Sequence, residues 1–521
     1  FCASKNQHTD PNHSENPIFS TINEIYEVLE SGCVASTDDQ WFGRNSDTQI
    51  LAVTVPPRFV AASPHQHQWE MARQKEMESL RKFKVFDVID RQEIPPGHPD
   101  PIGCRWLYTL KDYPHDTYQG DDLEAEAMSR FKARLIVQGM HEEVDDTYSP
   151  TPSAESVRTC LTIACKMKWD IKFTDVSTAF LHAPVEGNKY VHPPPTEGLG
   201  VTQIWRLNKA LYGLKSAPKA WSNHLASVLE RLGWTRSYLD ECVYFKTNTN
   251  FDPDGKNVTT TKTFPLSGVI VAYVDDLIVA GESDTVEQFY LEFAKSCTCS
   301  PPEPLMIDGP AVQFLGFNYT RKHDRIIIDP SDYTQIFLDA FSHSESREVS
   351  SPGTKGEYLT DPNNRTRPPL DKAKHRLYRR LVGQCLWLSS VRRDISFATK
   401  ELSKFVHAPT EEEVKRGAHL LRYLAGTKDD KVHLFPDNAE EFSVVCYTDA
   451  DLAGCTITRK STSGGTLSIN RSIVHSWAKQ QETVADSTGE AEFIGLVFGS
   501  KEALFLRQFL GDLGIVLKLS L

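Results

Sequence analysis

Near its middle the chain contains Val269-Ile270-Val271-Ala272-Tyr273-Val274-Asp275-Asp276-Leu277-Ile278-Val279-Ala280, an apolar run with two adjacent aspartates at its centre. The β-branched residues on both sides predict a β-hairpin with the two acids at its turn. Carboxylates among apolar neighbours lose hydration, and adjacent like charges raise one another's pKa. The pair therefore predicts a compensating divalent cation. The alternative is a solvated hairpin turn, where aspartate is common.

A third aspartate lies upstream, in Phe173-Thr174-Asp175-Val176-Ser177-Thr178-Ala179-Phe180-Leu181. Asp175 ends a short apolar strand and leads into a turn of small residues, where a lone aspartate would more often cap a helix. Mg²⁺ prefers oxygen ligands and is usually held by one or two carboxylates together with substrate phosphates. The Asp275–Asp276 pair therefore predicts a site that handles nucleotides.

Four groups of residues, in this order, resemble the reverse transcriptases of copia-type LTR retrotransposons. They are Pro101-Ile102-Gly103-Cys104-Arg105-Trp106 with Arg130-Phe131-Lys132-Ala133-Arg134-Leu135; Thr174-Asp175-Val176 through Ala179-Phe180-Leu181; Leu211-Tyr212-Gly213-Leu214-Lys215-Ser216-Ala217-Pro218-Lys219-Ala220-Trp221; and Tyr273-Val274-Asp275-Asp276 with Phe314-Leu315-Gly316. The resemblance extends over residues 65–515 and includes Tyr378–Gly383 and Arg393-Asp394-Ile395.

The resemblance implies an α+β right-hand polymerase. Fingers and a ferredoxin-like palm sheet would occupy residues 65–345, and a helical thumb and connection residues 346–440, after a weakly ordered arm over 1–64. The implied activity is RNA-directed DNA polymerisation with two Mg²⁺ ions, for which Mn²⁺ could substitute. Asp175, Asp275 and Asp276 would then be the catalytic and metal-binding residues, with a less direct role for Asp276.

The family also implies roles for residues around these acids. Lys132 and Arg134 would contact the triphosphate, Phe180 would exclude a ribose 2′-OH, and Gly213 would approach the nascent base pair. Phe314-Leu315-Gly316 would hold the primer. From the residues alone, Arg134 could equally be an exposed strand charge, Phe180 a core residue and Gly213 part of a turn.

Two acids near the C-terminal end resemble those of the RNase H domain of the same elements. These are Asp449, in Tyr447-Thr448-Asp449-Ala450-Asp451, and Glu492, in Glu490-Ala491-Glu492-Phe493, with Asp451 and Glu490 as alternatives. The resemblance implies an incomplete RNase H-like α/β domain over residues 441–521, because the next acid of the family would lie beyond the following strand. Asp512 is a poor substitute, so we expect no RNase H activity from this chain.

Charge and hydropathy bear on the partners. The net charge of −13 over 521 residues disfavours the binding of nucleic acid. Between Asp371 and Lys428, however, Lys and Arg outnumber the acids and predict a local basic face. The longest apolar stretch is far shorter than the roughly 20 residues that span a bilayer, so no membrane association is expected. The chain opens on Phe1 rather than Met, which indicates an interior piece of a longer product.

The expected partners are an RNA template, a DNA primer or RNA–DNA hybrid, deoxynucleoside triphosphates, and other Pol and Gag-like products of the element. The expected location is a cytoplasmic virus-like particle, with the nucleus as an alternative. A second hypothesis is a catalytically inactive, decayed or domesticated product that binds RNA or protein. A third, a different two-metal phosphotransferase, is disfavoured by the motifs of the predicted fingers.

Overall fold

The computed structural model describes residues 53–63, 65–110, 131–198, 200, 202–247, 266–343, 346–353, 368–437, 441–455, 457–515 and 517. They form two compact units. The first comprises the chain up to Glu142 together with Asn188–Leu214, and the second comprises Glu143–Gly187 together with Lys215–Leu521. Most of the predicted N-terminal arm, residues 1–52 and 64, lies outside the described residues.

The strands follow one another along the chain. They are β1 (Val53–Val55), β2 (Phe86–Asp90), β3 (Cys104–Leu110), β4 (Phe131–Val137), β5 (Asp170–Asp175), β6 (Tyr190–Val191), β7 (Gln203–Leu207), β8 (Thr235–Arg236), β9 (Val243–Thr247), β10 (Leu266–Tyr273), β11 (Asp276–Gly281), β12 (Glu303–Pro304), β13 (Val312–Phe314), β14 (Phe317–Arg321), β15 (Ile326–Asp329), β16 (Val432–Leu434), β17 (Val444–Ala450), β18 (Thr462–Ile469) and β19 (Ser472–Gln480).

The helices alternate with these strands. They are α1 (Pro57–Ala62), α2 (Gln66–Lys82), α3 (Ala154–Lys166), α4 (Ala179–His182), α5 (Ala217–Arg231), α6 (Ser283–Phe293), α7 (Ser331–Ala340), α8 (Lys372–Ser389), α9 (Ser396–Ser403), α10 (Glu411–Gly426) and α11 (Thr488–Asp512). Within the described ranges, no helix combines the length and the apolar composition that crossing a membrane requires.

The first unit contains two three-stranded antiparallel sheets, in the orders β1-β3-β4 and β2-β7-β6. Alternate residues of β4 are buried, as its alternating sequence requires. Trp69 of α2 packs edge-on against Phe131 and Tyr108, with ring centroids 4.8 and 5.4 Å apart. Because β1 pairs with β3 and Val55 is buried, the part of the predicted arm from Val53 onward packs within this unit.

The second unit is built around a six-stranded antiparallel sheet in the order β12-β5-β11-β10-β9-β8. Helix α3 contacts β10 and β11 of this sheet, and its residues from Glu155 to Cys165 are all buried. The burial extends round the whole helix because α3 also contacts β15, β16 and β19, which belong to two further sheets. The helix therefore lies at the centre of this unit.

Those further sheets have the orders β13-β14-β15-β16 and β17-β18-β19. Helix α11 packs closely on β17 because it places glycines against that strand: a Cβ added to Gly499 would lie 2.2 Å from Cγ2 of Thr448. Mixed α and β structure with several antiparallel sheets fits a reverse transcriptase and agrees with the predicted α+β class. The division into palm, thumb and an RNase H-like domain stays a prediction.

Candidate active site

The predicted hairpin is formed by β10 and β11, paired from Gly268 opposite Gly281 to Tyr273 opposite Asp276. Only Val274 and Asp275 remain for the loop, the shortest common hairpin connection. Val274 adopts φ = 58°, a left-handed conformation that is a genuine outlier for a β-branched residue. The two aspartates therefore lie at and beside a tight, strained turn.

The sheet order brings the third aspartate to this turn. Strands β5 and β11 are antiparallel neighbours, and Asp175 is the cross-strand partner of Asp276. Residues directly opposite in an antiparallel pair share a face, with Cβ atoms roughly 4.5–5.5 Å apart. The structure thus brings Asp175, Asp275 and Asp276 together. It also places Asp276, for which the sequence implied a less direct role, opposite Asp175.

The electrostatics of the cluster favour a bound cation. Burial, followed by the negative charges of Asp275 and Asp175, raises the pKa of Asp276 to about 6. Among the described residues, no lysine, arginine or histidine forms an ion pair with Asp275 or Asp276. Carboxylate oxygens are the donor set that Mg²⁺ prefers. The residues present therefore fit a divalent metal.

Hydrogen bonds hold the hairpin turn on two sides. The indole Nε1–H of Trp221, on α5, donates to the carbonyl oxygen of Val274 at 2.6 Å, and Trp221 is 1% exposed. The backbone N–H of Val176 donates to the carbonyl oxygen of Asp275 at 2.7 Å. Each loop residue is thereby fixed by a group outside the hairpin.

Asp175 is fixed in a comparable way by Ser300. The hydroxyl of Ser300 accepts a hydrogen bond from the backbone N–H of Asp175, and the Ser300 N–H donates to the Asp175 carbonyl, both at 2.9 Å. The Thr174 hydroxyl donates to the Ser300 carbonyl at the same distance. The sequence analysis assigned no role to Trp221 or Ser300. Trp221 lies in one of the quoted motifs, but nothing local marks Ser300.

Two further predicted parts of the site lie in the second unit: Phe180, close to the six-stranded sheet, and Phe314-Leu315-Gly316, in the sheet that contains β13 and β14. Phe180 is half-buried in α4, which follows Asp175 by a short turn. Leu315 and Gly316 form the β13–β14 turn with φ of 52° and 80°, whereas Phe314 is buried against Phe173 with ring centroids 5.3 Å apart. If this hairpin contacts a primer, the contact comes from the turn and not from the Phe314 ring.

Lys132, Arg134 and Gly213 belong to the first unit. Lys132 and Arg134 are half-buried on the same face of β4, and the Arg134 guanidinium lies 4.8 Å from the centroid of the Tyr212 ring. Gly213 has φ = 92°, and an added Cβ would lie 2.1 Å from the carbonyl oxygen of Val137. Packing within the protein thus already requires glycine there, so its approach to a base pair stays a prediction.

The acids compared with RNase H differ in their local partners. Asp451 accepts the backbone N–H of Thr462 at 2.7 Å, and Glu490 accepts that of Asp486 at 2.8 Å, so both have structural roles. Asp512 accepts the Ser237 hydroxyl at 2.6 Å. Asp449 is exposed on β17, and Glu492 is half-buried on α11. Of the alternatives, Asp449 and Glu492 therefore remain the better candidates.

The predicted basic face is narrower than the sequence suggested. Several of its cations form ion pairs within the second unit, such as Lys374 with Glu411 at 2.6 Å. Besides Lys374, the exposed cations of α8 are spaced by four and three residues and so share one helix face. They are Lys372, Arg376 and Arg379.

The comparisons with known proteins agree with the motifs. A family model described as reverse transcriptase (RNA-dependent DNA polymerase) matches residues 83–355. The chain is 29% identical over 474 residues to the retrovirus-related Pol polyprotein from transposon TNT 1-94 of Nicotiana tabacum, covering 88% of this chain and 32% of that protein.

Two Arabidopsis thaliana proteins show similar identity and coverage. The retrovirus-related Pol polyprotein from transposon RE1 is 28% identical over 480 residues, with 89% of this chain and 29% of that protein covered. The corresponding protein from transposon RE2 is 28% identical over 473 residues, with 90% and 30% covered. The chain spans about a third of the length of these curated relatives. The matched family segment covers more than half of the chain and includes all three aspartates, so the chain belongs to the reverse transcriptase (RNA-dependent DNA polymerase) family, with copia-type retrotransposon Pol polyproteins among its relatives.

Proposed function

We propose that this chain is an active RNA-directed DNA polymerase that extends a DNA primer on an RNA template. The observation that carries the proposal is the β5–β11 register, which sets Asp175 opposite Asp276 beside the turn that contains Asp275. Three carboxylates at one sheet edge, without a basic partner for Asp275 or Asp276, suit phosphoryl transfer better than an RNA-binding role alone. The decayed-product alternative is therefore not favoured.

Asp175, Asp275 and Asp276 would hold the metal ions. Bound Mg²⁺ or Mn²⁺ ions supply activation of the primer 3′ oxygen and neutralisation of charge on the triphosphate. The protein's own contribution is to keep the carboxylates in fixed positions before substrate arrives, through Trp221 and Ser300. Such preorganisation avoids reorganisation during the reaction.

Further contacts complete the proposal. Lys132 and Arg134 would bind the triphosphate, for which a guanidinium is well shaped. Phe180 would select deoxynucleotides by excluding the 2′-OH. The Leu315–Gly316 turn and the exposed cations of α8 would contact the primer–template duplex through its phosphates. Within the element, the chain would act together with other Pol and Gag-like products in a particle.

The test is extension of a labelled DNA primer on an RNA template with deoxynucleoside triphosphates and Mg²⁺ or Mn²⁺. We expect extension by the wild-type chain and its loss in Asp275→Asn, Asp276→Asn. Asp284→Asn, at an exposed position on α6, is the matched control and should retain activity. No extension by folded wild-type chain with either metal would favour the inactive alternative.

A further inference from the structure

A second cluster of metal-binding side chains lies in the second unit, where α3 packs against β19. It consists of Glu155 on α3, His475 on β19 and Glu502 on α11. Nδ1 of His475 lies 3.7 Å from Oε2 of Glu155, and its Nε2 lies 3.9 Å from Oε2 of Glu502. One ligand atom from each residue lies within 4.8 Å of the other two.

Hydrogen bonding does not account for this arrangement. Both His475 contacts exceed the distance at which an N–H···O hydrogen bond forms. Glu155 is 6% exposed, and its Oε1 is buried with no hydrogen-bond partner among the described residues. A buried carboxylate oxygen without a partner is costly, and native structures usually satisfy it by protein, water or an ion.

Two neighbouring arginines must be considered, because they could compensate the carboxylates. Arg158 donates to the carbonyl oxygen of Val474 at 3.0 Å, and Arg393 donates to that of Ile473 at 2.6 Å, so both bind the backbone of β19. Neither forms an ion pair with the two glutamates among the described residues. Their hydrogen bonds therefore go to the backbone of β19 and not to the two carboxylates.

The three side chains offer the atoms that a transition metal binds. The imidazole of His475 has a ring-nitrogen lone pair, and Glu155 and Glu502 each have carboxylate oxygens. The buried Oε1 of Glu155 would gain a partner when an ion binds.

We propose that Glu155, His475 and Glu502 form a binding site for a divalent transition-metal ion, best matched by Zn²⁺. Imidazole with carboxylates suits Zn²⁺, whereas Mg²⁺ prefers oxygen ligands alone. Zinc bonds of about 2.0–2.2 Å require ligand atoms roughly 3.4 Å apart, so atoms that lie within 4.8 Å must close by up to about 1.4 Å. The ion would use one of the two ring nitrogens of His475. The ion would join α3 to β19 and α11, which follow α3 by about 300 residues in the sequence.

The site is tested on the full chain by equilibrium dialysis against Zn²⁺. Wild type is compared with Glu502→Gln and with Glu287→Gln, an exposed control on α6. We expect Glu502→Gln to bind one Zn²⁺ fewer, or to bind it at least about tenfold more weakly, and the control to match wild type. The polymerase aspartates are the same in all three proteins, so their metal binding cancels.

A second measurement uses Trp477, whose ring stacks on that of His475 with centroids 5.4 Å apart. Co²⁺ in the site should quench a component of the tryptophan fluorescence that is missing in Trp477→Phe. This readout remains available if Glu502→Gln does not fold, and it does not depend on polymerase activity. Equal Zn²⁺ binding by wild type and Glu502→Gln, or equal Co²⁺ quenching with and without Trp477, would overturn the proposal.

Discussion

Replacing Trp221 by Phe should lower the turnover of primer extension by about tenfold while leaving the KM for nucleotide nearly unchanged. The substitution keeps an aromatic ring in the buried position but removes the Nε1–H that binds the carbonyl oxygen of Val274. That carbonyl belongs to the residue with φ = 58° in the loop between β10 and β11. The hydrogen bond therefore stabilises the one strained residue next to Asp275.

The magnitude follows from two contributions. Leaving a half-buried carbonyl without its donor costs about 1–3 kcal/mol. A non-glycine residue in a sparsely populated backbone region stores about 1–3 kcal/mol, which is released when the turn relaxes. If the substitution destabilises the competent turn by about 1.4 kcal/mol relative to the relaxed turn, the competent population and hence the turnover fall about tenfold. The proposed contacts of Lys132 and Arg134 with the nucleotide should be unaffected.

A double-mutant cycle with Val274→Gly separates strain from other effects of the substitution. Glycine adopts positive φ without penalty, so Trp221→Phe should cost less in the Val274→Gly background, with a coupling energy of about 1 kcal/mol or more. Equilibrium denaturation of the same four proteins gives the coupling without an activity assay. The reasoning would be refuted if Trp221→Phe retained wild-type turnover, or if the two substitutions were additive.

Three further predictions concern other parts of the chain. Arg392→Leu should lower the free energy of unfolding by about 1–3 kcal/mol in chemical denaturation, because Asp394 and the carbonyl oxygen of Thr427, both at 2.6 Å, lose their donor. Gly213→Ala should destabilise far more than Gly97→Ala in thermal melts: both have positive φ, worth about 1–2 kcal/mol, but only Gly213 also faces a backbone oxygen. Alkylation of Cys455 by iodoacetamide should increase as pH rises through about 7, since hydrogen bonds from the following loop outweigh burial and lower the pKa of its thiol. A half-maximal rate near pH 9 would contradict that pKa.

The part of the site that the sequence predicted is the part that depends on local patterns. An apolar run around two acids predicts a hairpin turn, and the resemblance supplied Asp175 as the third acid. The contacts of Trp221 and Ser300 were not predicted, because both join residues far apart in the chain. The paired cations of α8 and α10 show the same limit: a count of charges cannot say which of them are neutralised in the fold.

Several features of the β10–β11 hairpin lower its stability. Asp175 and Asp276 are like charges on directly opposite residues, the pKa of Asp276 is raised, and Val274 has an unfavourable φ. Such a combination persists only where the surrounding structure over-determines it. Here hydrogen bonds from Trp221, Val176 and Ser300 hold the backbone of Val274, Asp275 and Asp175. A solvated turn would gain stability from any change that removed one of these charges. The retention of all three acids therefore supports the proposed metal-dependent chemistry over a solvated turn.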